Sequence, residues 1–101
     1  LKIVLACAAG MSTSLLVTKM SEEAKKKGLD CKILATPVSS LKREIKGTDV
    51  VLLGPQVRYL LPKVKQLCEE FKVPVDVVPL VSYGRCDGKA VLEFANKLIS
   101  N

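Results

Sequence analysis

Cys7 closes an apolar run and is followed by Ala8, Ala9, Gly10, Met11, Ser12, Thr13 and Ser14. Small residues let a backbone curl so that successive N–H groups converge, and the start of a following helix adds the positive end of its dipole. The result is an anion cradle, which favours thiolate, the nucleophilic form, over thiol. The dipole alone contributes about 0.3–1 kcal/mol, so several N–H donors must meet at the sulfur to do more. One helix cap needs one hydroxyl. Three in a row beside a thiol exceed what capping explains. Cys31, Cys68 and Cys86 fall in a strand, on a helix and in a loop without a comparable cradle, and read as core filler.

The chain contains no histidine, which removes Ser-His-Asp hydrolysis, Cys-His proteolysis and most zinc catalysis together. No C-x-x-C or other metal-ligand spacing occurs among the four cysteines, so neither a metal nor a cofactor is expected. A thiolate in a phosphate cradle then suggests two reactions. Tyrosine phosphatases place an arginine six positions after the cysteine, and Thr13 occupies that place here. Without the guanidinium fork that grips the equatorial oxygens, efficient hydrolysis is disfavoured. Passing a phosphoryl group from a donor to an acceptor suits the site better, with a small cysteine-dependent phosphatase as the alternative.

The elements that must position this cysteine alternate between two apolar periods. A strand over Lys2–Ala6 leads through the loop beginning at Cys7 to a helix from about Thr13 to Lys27. Leu16, Met20 and Ala24 form its stripe and Gly28 stops it. A second strand covers Cys31–Ala35 and ends at Thr36-Pro37. Ser39 or Ser40 then caps a short helix through Lys46, stopped by Gly47. Asp49 to Leu53 is a continuous apolar run after its first residue, the mark of a strand covered on both faces. Gly54-Pro55 breaks it, Gln56–Leu61 reads as an irregular turn, and Pro62 opens a helix to Phe71. Val75–Pro79 is the fourth strand, Ser82–Asp87 a loop, and Asp87 caps a last helix carrying Val91, Leu92, Ala95, Leu98 and Ile99.

Strands alternating with helices imply an α/β fold: one open four-stranded parallel sheet with helices on both faces. Right-handed crossovers make 2-1-3-4 the economical order. The direction of winding then reverses between strands 1 and 3, and ligands bind outside the carboxyl ends of strands at such a point. The loops beginning at Cys7 and Gly54 both open there. Gln56 either donates its amide to a phosphoryl oxygen or bonds the Gly54-Pro55 turn. Tyr83 either closes over the site or packs beneath it. For Asp87 the N-cap role is preferred to that of a general acid, and Arg58 and Arg85 read as surface charge at the rim.

With 101 residues the chain fits one domain, 1–101. Its 49% hydrophobic residues can bury roughly two-thirds of the unfolded surface, which excludes disordered and fibrous classes. The longest apolar run, Ile3 to Ala9, falls far short of the ~18 residues of a membrane span and lacks the basic segment of a secretory signal. Reduced thiols in a cytoplasm are therefore expected. A net charge of +6 suits an acidic or phosphorylated partner. The charge is scattered, however, and aromatics are only 4%, so nucleic acid is not an expected ligand.

Three segments together are more specific: Cys7 to Leu16, Val51 to Pro62, and Tyr83-Gly84-Arg85-Cys86-Asp87-Gly88. In these segments and their order the chain resembles the IIB component of the bacterial phosphoenolpyruvate-dependent sugar phosphotransferase system, lactose/cellobiose (chitobiose) class, over essentially its whole length. The resemblance implies a phosphatase-like phosphate loop after strand 1 and a phosphocysteine at Cys7. It implies phosphate binding by the backbone of Ala8, Ala9, Gly10, Met11, Ser12 and Thr13; beside it, Ser14, Gln56 and Tyr83 read from their positions as candidate accessory residues. It further implies a phosphohistidine donor on the IIA component and a sugar acceptor, such as cellobiose or chitobiose, in the membrane IIC component. The chain would be a monomer on its own, cytoplasmic, and transiently at the inner membrane face through IIC. Family members often carry serine after the active cysteine. Ala8 stands here, which leaves the phosphate more to main-chain donors.

Overall fold

The computed structural model describes residues 1–8 and 14–100. The expected cradle from Ala9 to Thr13 lies outside the described residues. The strands are β1 (Lys2–Cys7), β2 (Lys32–Pro37), β3 (Val50–Leu53) and β4 (Val75–Val77), all parallel, in the order β2-β1-β3-β4. The helices among the described residues are α1 (Ser14–Lys26), α2 (Leu41–Glu44), α3 (Leu61–Glu70), α4 (Leu80–Gly84) and α5 (Gly88–Ser100).

The period of two along each strand divides the core. Ile3, Leu5, Val50 and Leu52 face α1 and α5, meeting Leu16, Met20, Val91, Leu92 and Ala95. Val4, Ala6, Val51 and Leu53 face α2 and α3, meeting Leu41, Ile45, Val64 and Cys68. Each fully buried aliphatic side chain contributes roughly 1.5–3 kcal/mol, so an uninterrupted apolar β3 is stable only because both its faces are covered. Placing α1 on one face and α2 and α3 on the other is what right-handed crossovers demand when the chain winds outward from β1 in both directions.

Several boundaries differ from the sequence expectation for identifiable reasons. Cys7 is the last residue of β1, not the first beyond it, because the ladder to β2 continues to Cys7 opposite Pro37. β2 is shifted by the same register and runs from Lys32 to Pro37. The short second helix ends at Glu44 rather than Lys46, and Ser40 makes no side-chain cap hydrogen bond; its Oγ instead accepts from Arg43 Nη2 at 3.2 Å. β4 stops at Val77, two residues early, since Pro79 has no N–H to offer a ladder. The expected loop after β4 begins inside α4, and Asp87 follows it as the cap of α5, its Oδ1 accepting the Ala90 N–H at 3.1 Å. Gly28 and Gly47, with φ of +68° and +79°, are the expected helix stops.

Candidate active site

The carboxyl ends of β1 and β3 lie side by side, Ala6 opposite Leu53, with the Gly54 N–H donating to the Ala6 carbonyl at 2.9 Å. Cys7 is therefore delivered to the edge of the sheet beside Gly54, at the point where the winding reverses. Its side chain is fully buried yet belongs to neither aliphatic cluster. Ala8, next along, is exposed in a bend. α1 begins at Ser14 with no acidic residue in its first turn and with Lys25 and Lys26 in its last. Its own first turn thus leaves the positive pole of the dipole available to an anion, and its last turn balances the negative pole.

Gly54 is a matter of space rather than of backbone conformation. Its φ and ψ of −64° and 146° suit any residue, but a Cβ there would stand 2.5 Å from Gln56 Oε1 and 3.4 Å from Cys7 Cβ. Gln56 folds back over this gap from a 3₁₀ turn, Pro55–Leu60, kinked at Val57. Its Nε2 donates to the Tyr83 hydroxyl at 2.8 Å, so the loops after β3 and β4 are joined across the sheet edge. Tyr83 is half-buried, its ring against the cluster under α1 and α5. Tyr83 thus packs inward while its hydroxyl meets Gln56 at the sheet edge. A surface hollow of about 570 Å³ adjoins the pair, lined by Pro55, Gln56, Arg58, Val78, Leu80 and Tyr83.

Of the residues expected at the site, the structure brings Cys7, Gln56 and Tyr83 to one edge, with Ala8 and Ser14 bordering it; Ala9 to Thr13 are outside the described residues. The loop beginning at Gly54 was anticipated there, whereas the close approach of Gly54 to Cys7 and the helix α4 were not. The other cysteines are set apart by their surroundings. Burial pushes the Cys68 thiol up to about 11 from 9.0, and burial, partly offset by the N-terminal ammonium group, also raises Cys31. At pH 8 the thiolate fraction of Cys68 is then on the order of a hundredfold below that of an unfolded thiol. Alkylation of the native protein with iodoacetamide is expected to leave Cys68 unmodified at times when the urea-unfolded chain is fully modified; equal rates would overturn this. The linked stability is intact below pH 9.0, the unfolded value, and is lost as pH rises through about 11.

A cysteine at the winding reversal of a parallel α/β sheet, on a strand that leads into a helix, fits a class of protein that handles anionic groups at a strand end. The sequence comparisons narrow the class. Residues 2–94 match the family model "PTS system, Lactose/Cellobiose specific IIB subunit". The chain is 40% identical over 100 residues to the oligo-beta-mannoside-specific EIIB component of Bacillus subtilis, covering 99% of this chain and 97% of that one. It is 43% identical over 103 residues to the galactose-specific EIIB component of Lactococcus lactis, covering 97% and 95%. The solution structure of the cellobiose-specific phosphotransferase IIB component of Borrelia burgdorferi superposes with a TM-score of 0.83 at 33% identity, covering 100% of this chain and 93% of that one. The chain belongs to the lactose/cellobiose IIB family of the sugar phosphotransferase system, and is thereby a phosphotransferase component. Among the described residues no helix is long and apolar enough to cross a membrane.

Proposed function

We propose that this chain, acting as a single IIB domain, carries a phosphoryl group on Cys7 from the IIA component to a sugar held by the membrane IIC component. The observation that carries the reading is the placement of Cys7 in a IIB-family chain: at the end of β1, beside Gly54, ahead of the uncompensated N-terminus of α1. In the first step the Cys7 thiolate attacks the phosphorus of a phosphohistidine, the S–P bond forms, the N–P bond breaks and the imidazole leaves. The histidine is the partner's, since this chain has none. Main-chain N–H groups from Ala8 to Thr13 and the Ser14 end of α1 hold the phosphoryl oxygens, and the Gln56 amide completes the set. In the second step a sugar hydroxyl attacks phosphorus, the O–P bond forms and the S–P bond breaks, the thiolate departs and the hydroxyl proton passes to water. Neither step activates water, and Thr13 stands where phosphatases carry the arginine that grips the equatorial oxygens.

The relatives are named for an oligo-beta-mannoside, galactose and cellobiose. A β-linked disaccharide such as cellobiose or chitobiose is the substrate class proposed here. The chain would work as a monomer at the cytoplasmic face of the membrane, bound to IIC only during transfer. To test the reading, the chain is incubated with the general phosphotransferase enzymes, IIA and radiolabelled phosphoenolpyruvate, and the label is mapped by peptide. Acid-labile label on the Cys7 peptide is expected. Acid-stable label on serine or threonine, or no label, would overturn it.

A further inference from the structure

The stretches Val50 to Pro62 and Val77 to Gly84, which carry the chain out of β3 and β4, hold Arg58 as their one charged residue in a chain that is 26% charged. They meet around the hollow of about 570 Å³ beside the candidate site, whose walls are Pro55, Val77, Val78, Pro79 and Leu80, with the exposed Arg58 lining it. Among the described residues no carboxylate lines this hollow. The ion pairs among them join Lys26 to Glu23 and Lys27 to Glu93, so Arg58 belongs to neither. Tyr59 is 73% exposed, and the exposed Leu80 and Val81 of α4 stand outside both aliphatic clusters. A surface poor in Lys, Asp and Glu, with arginine and tyrosine beside bare aliphatic side chains, has the composition of the centre of a protein–protein interface rather than of a solvated face.

The proposed function supplies two protein partners, and charge decides between them. Cytoplasmic loops of a membrane protein carry an excess of Lys and Arg, which Arg58, on a chain of net charge +6, would meet as like charge. A soluble donor is free to present a carboxylate, and an arginine–carboxylate pair beside apolar walls fixes orientation as well as affinity. We propose that this hollow is a docking site for IIA: it seats an apolar segment bearing a carboxylate, held by Arg58 and Leu80 next to the edge that carries Cys7. The inference rests on Cys7 taking its phosphoryl group from IIA.

Single-turnover transfer from labelled phospho-IIA tests it. Arg58→Glu should raise the half-saturating IIA concentration about tenfold at low salt and much less at high salt, with the rate at saturation unaltered. Leu80→Ser should raise it about three- to fivefold at either salt, again without slowing saturated transfer. Lys46→Glu, which makes the same change in net charge ahead of β3 at the opposite end of the sheet, should leave it unaltered. All three side chains are exposed, so the thermal midpoints should match wild type. Unchanged half-saturation in Arg58→Glu or Leu80→Ser, an equal rise in Lys46→Glu, or a loss confined to the saturated rate would overturn the inference. So would a raised half-saturating concentration of IIC-containing vesicles with that of IIA unaltered, which would give the hollow to the membrane component. Mapping the label separates the two levels. Label on Cys7 with unchanged half-saturation removes only the docking site, whereas wild-type label absent from Cys7 removes the reading beneath it as well.

Discussion

With serine at position 7, sugar phosphorylation through this chain is expected to fall at least about a thousandfold, measured with IIA and IIC-containing vesicles. Serine matches cysteine in shape, so the comparison isolates the atom. A hydroxyl is a far weaker nucleophile than a thiol at neutral pH, which removes the attacking group that the proposed first step needs. Any phosphoserine that did form would be a poor intermediate, since an alkoxide leaves far less readily than a thiolate. The fold should survive, because Cys7 packs in neither aliphatic cluster. A hydroxyl at a fully buried position costs about 1–2 kcal/mol, well inside the ~5–15 kcal/mol that hold a small domain together. Retention of a tenth of wild-type activity by a folded Cys7→Ser protein would show that the group travels by another residue.

How far the sheet could be read in advance follows from its burial. β3 is apolar at every position because helices cover both its faces, and that continuity, with right-handed crossovers, led directly to the order in which β1 and β3 are neighbours. The site inherits its location from that order, so Cys7 and the loop after Leu53 were legible together. Asp87 was legible for a local reason, since an N-cap depends only on the next few residues. α4 was not. Its Leu80 and Val81 are 70% and 65% exposed, so no buried face imposes a helical period on it. The bond between Gln56 and Tyr83 was hidden differently: 27 positions separate them, and neither flanking sequence refers to the other. Only the adjacency of β3 and β4 makes them neighbours, each a few residues past a strand end. Close approaches were the least visible, because a glycine in a helix carries no mark of the backbone it touches.

The Gly88→Ala substitution tests such an approach, and helix propensity argues against the expected sign. Gly88 opens α5, and exchanging a helical glycine for alanine ordinarily stabilises by about 0.5–1 kcal/mol. Here a Cβ would overlap the Lys19 carbonyl carbon and stand 2.6 Å from Met20 N and 2.7 Å from Lys19 Cβ. These are atoms of the α1 backbone and its first side-chain carbon, which cannot swing aside as a long side chain would. Overpacking of this kind costs about 1–3 kcal/mol, so the thermal midpoint should drop by roughly 5–20 °C. Gly84→Ala is the matched control, since a Cβ there meets nothing within 4 Å, and it should leave the midpoint unchanged or slightly raised. The effect also reaches the site. Lys19 and Met20 lie in the second turn of α1, whose first described residue is Ser14, so relief of the overlap must move the helix that follows the Cys7 strand. The folded fraction of Gly88→Ala protein is accordingly expected to accept phosphate from IIA several-fold more slowly than wild type, whereas Gly84→Ala accepts it normally. Equal midpoints for the two variants would mean that α1 and α5 are not packed backbone to backbone, and that the placement of α1 does not depend on a missing side chain.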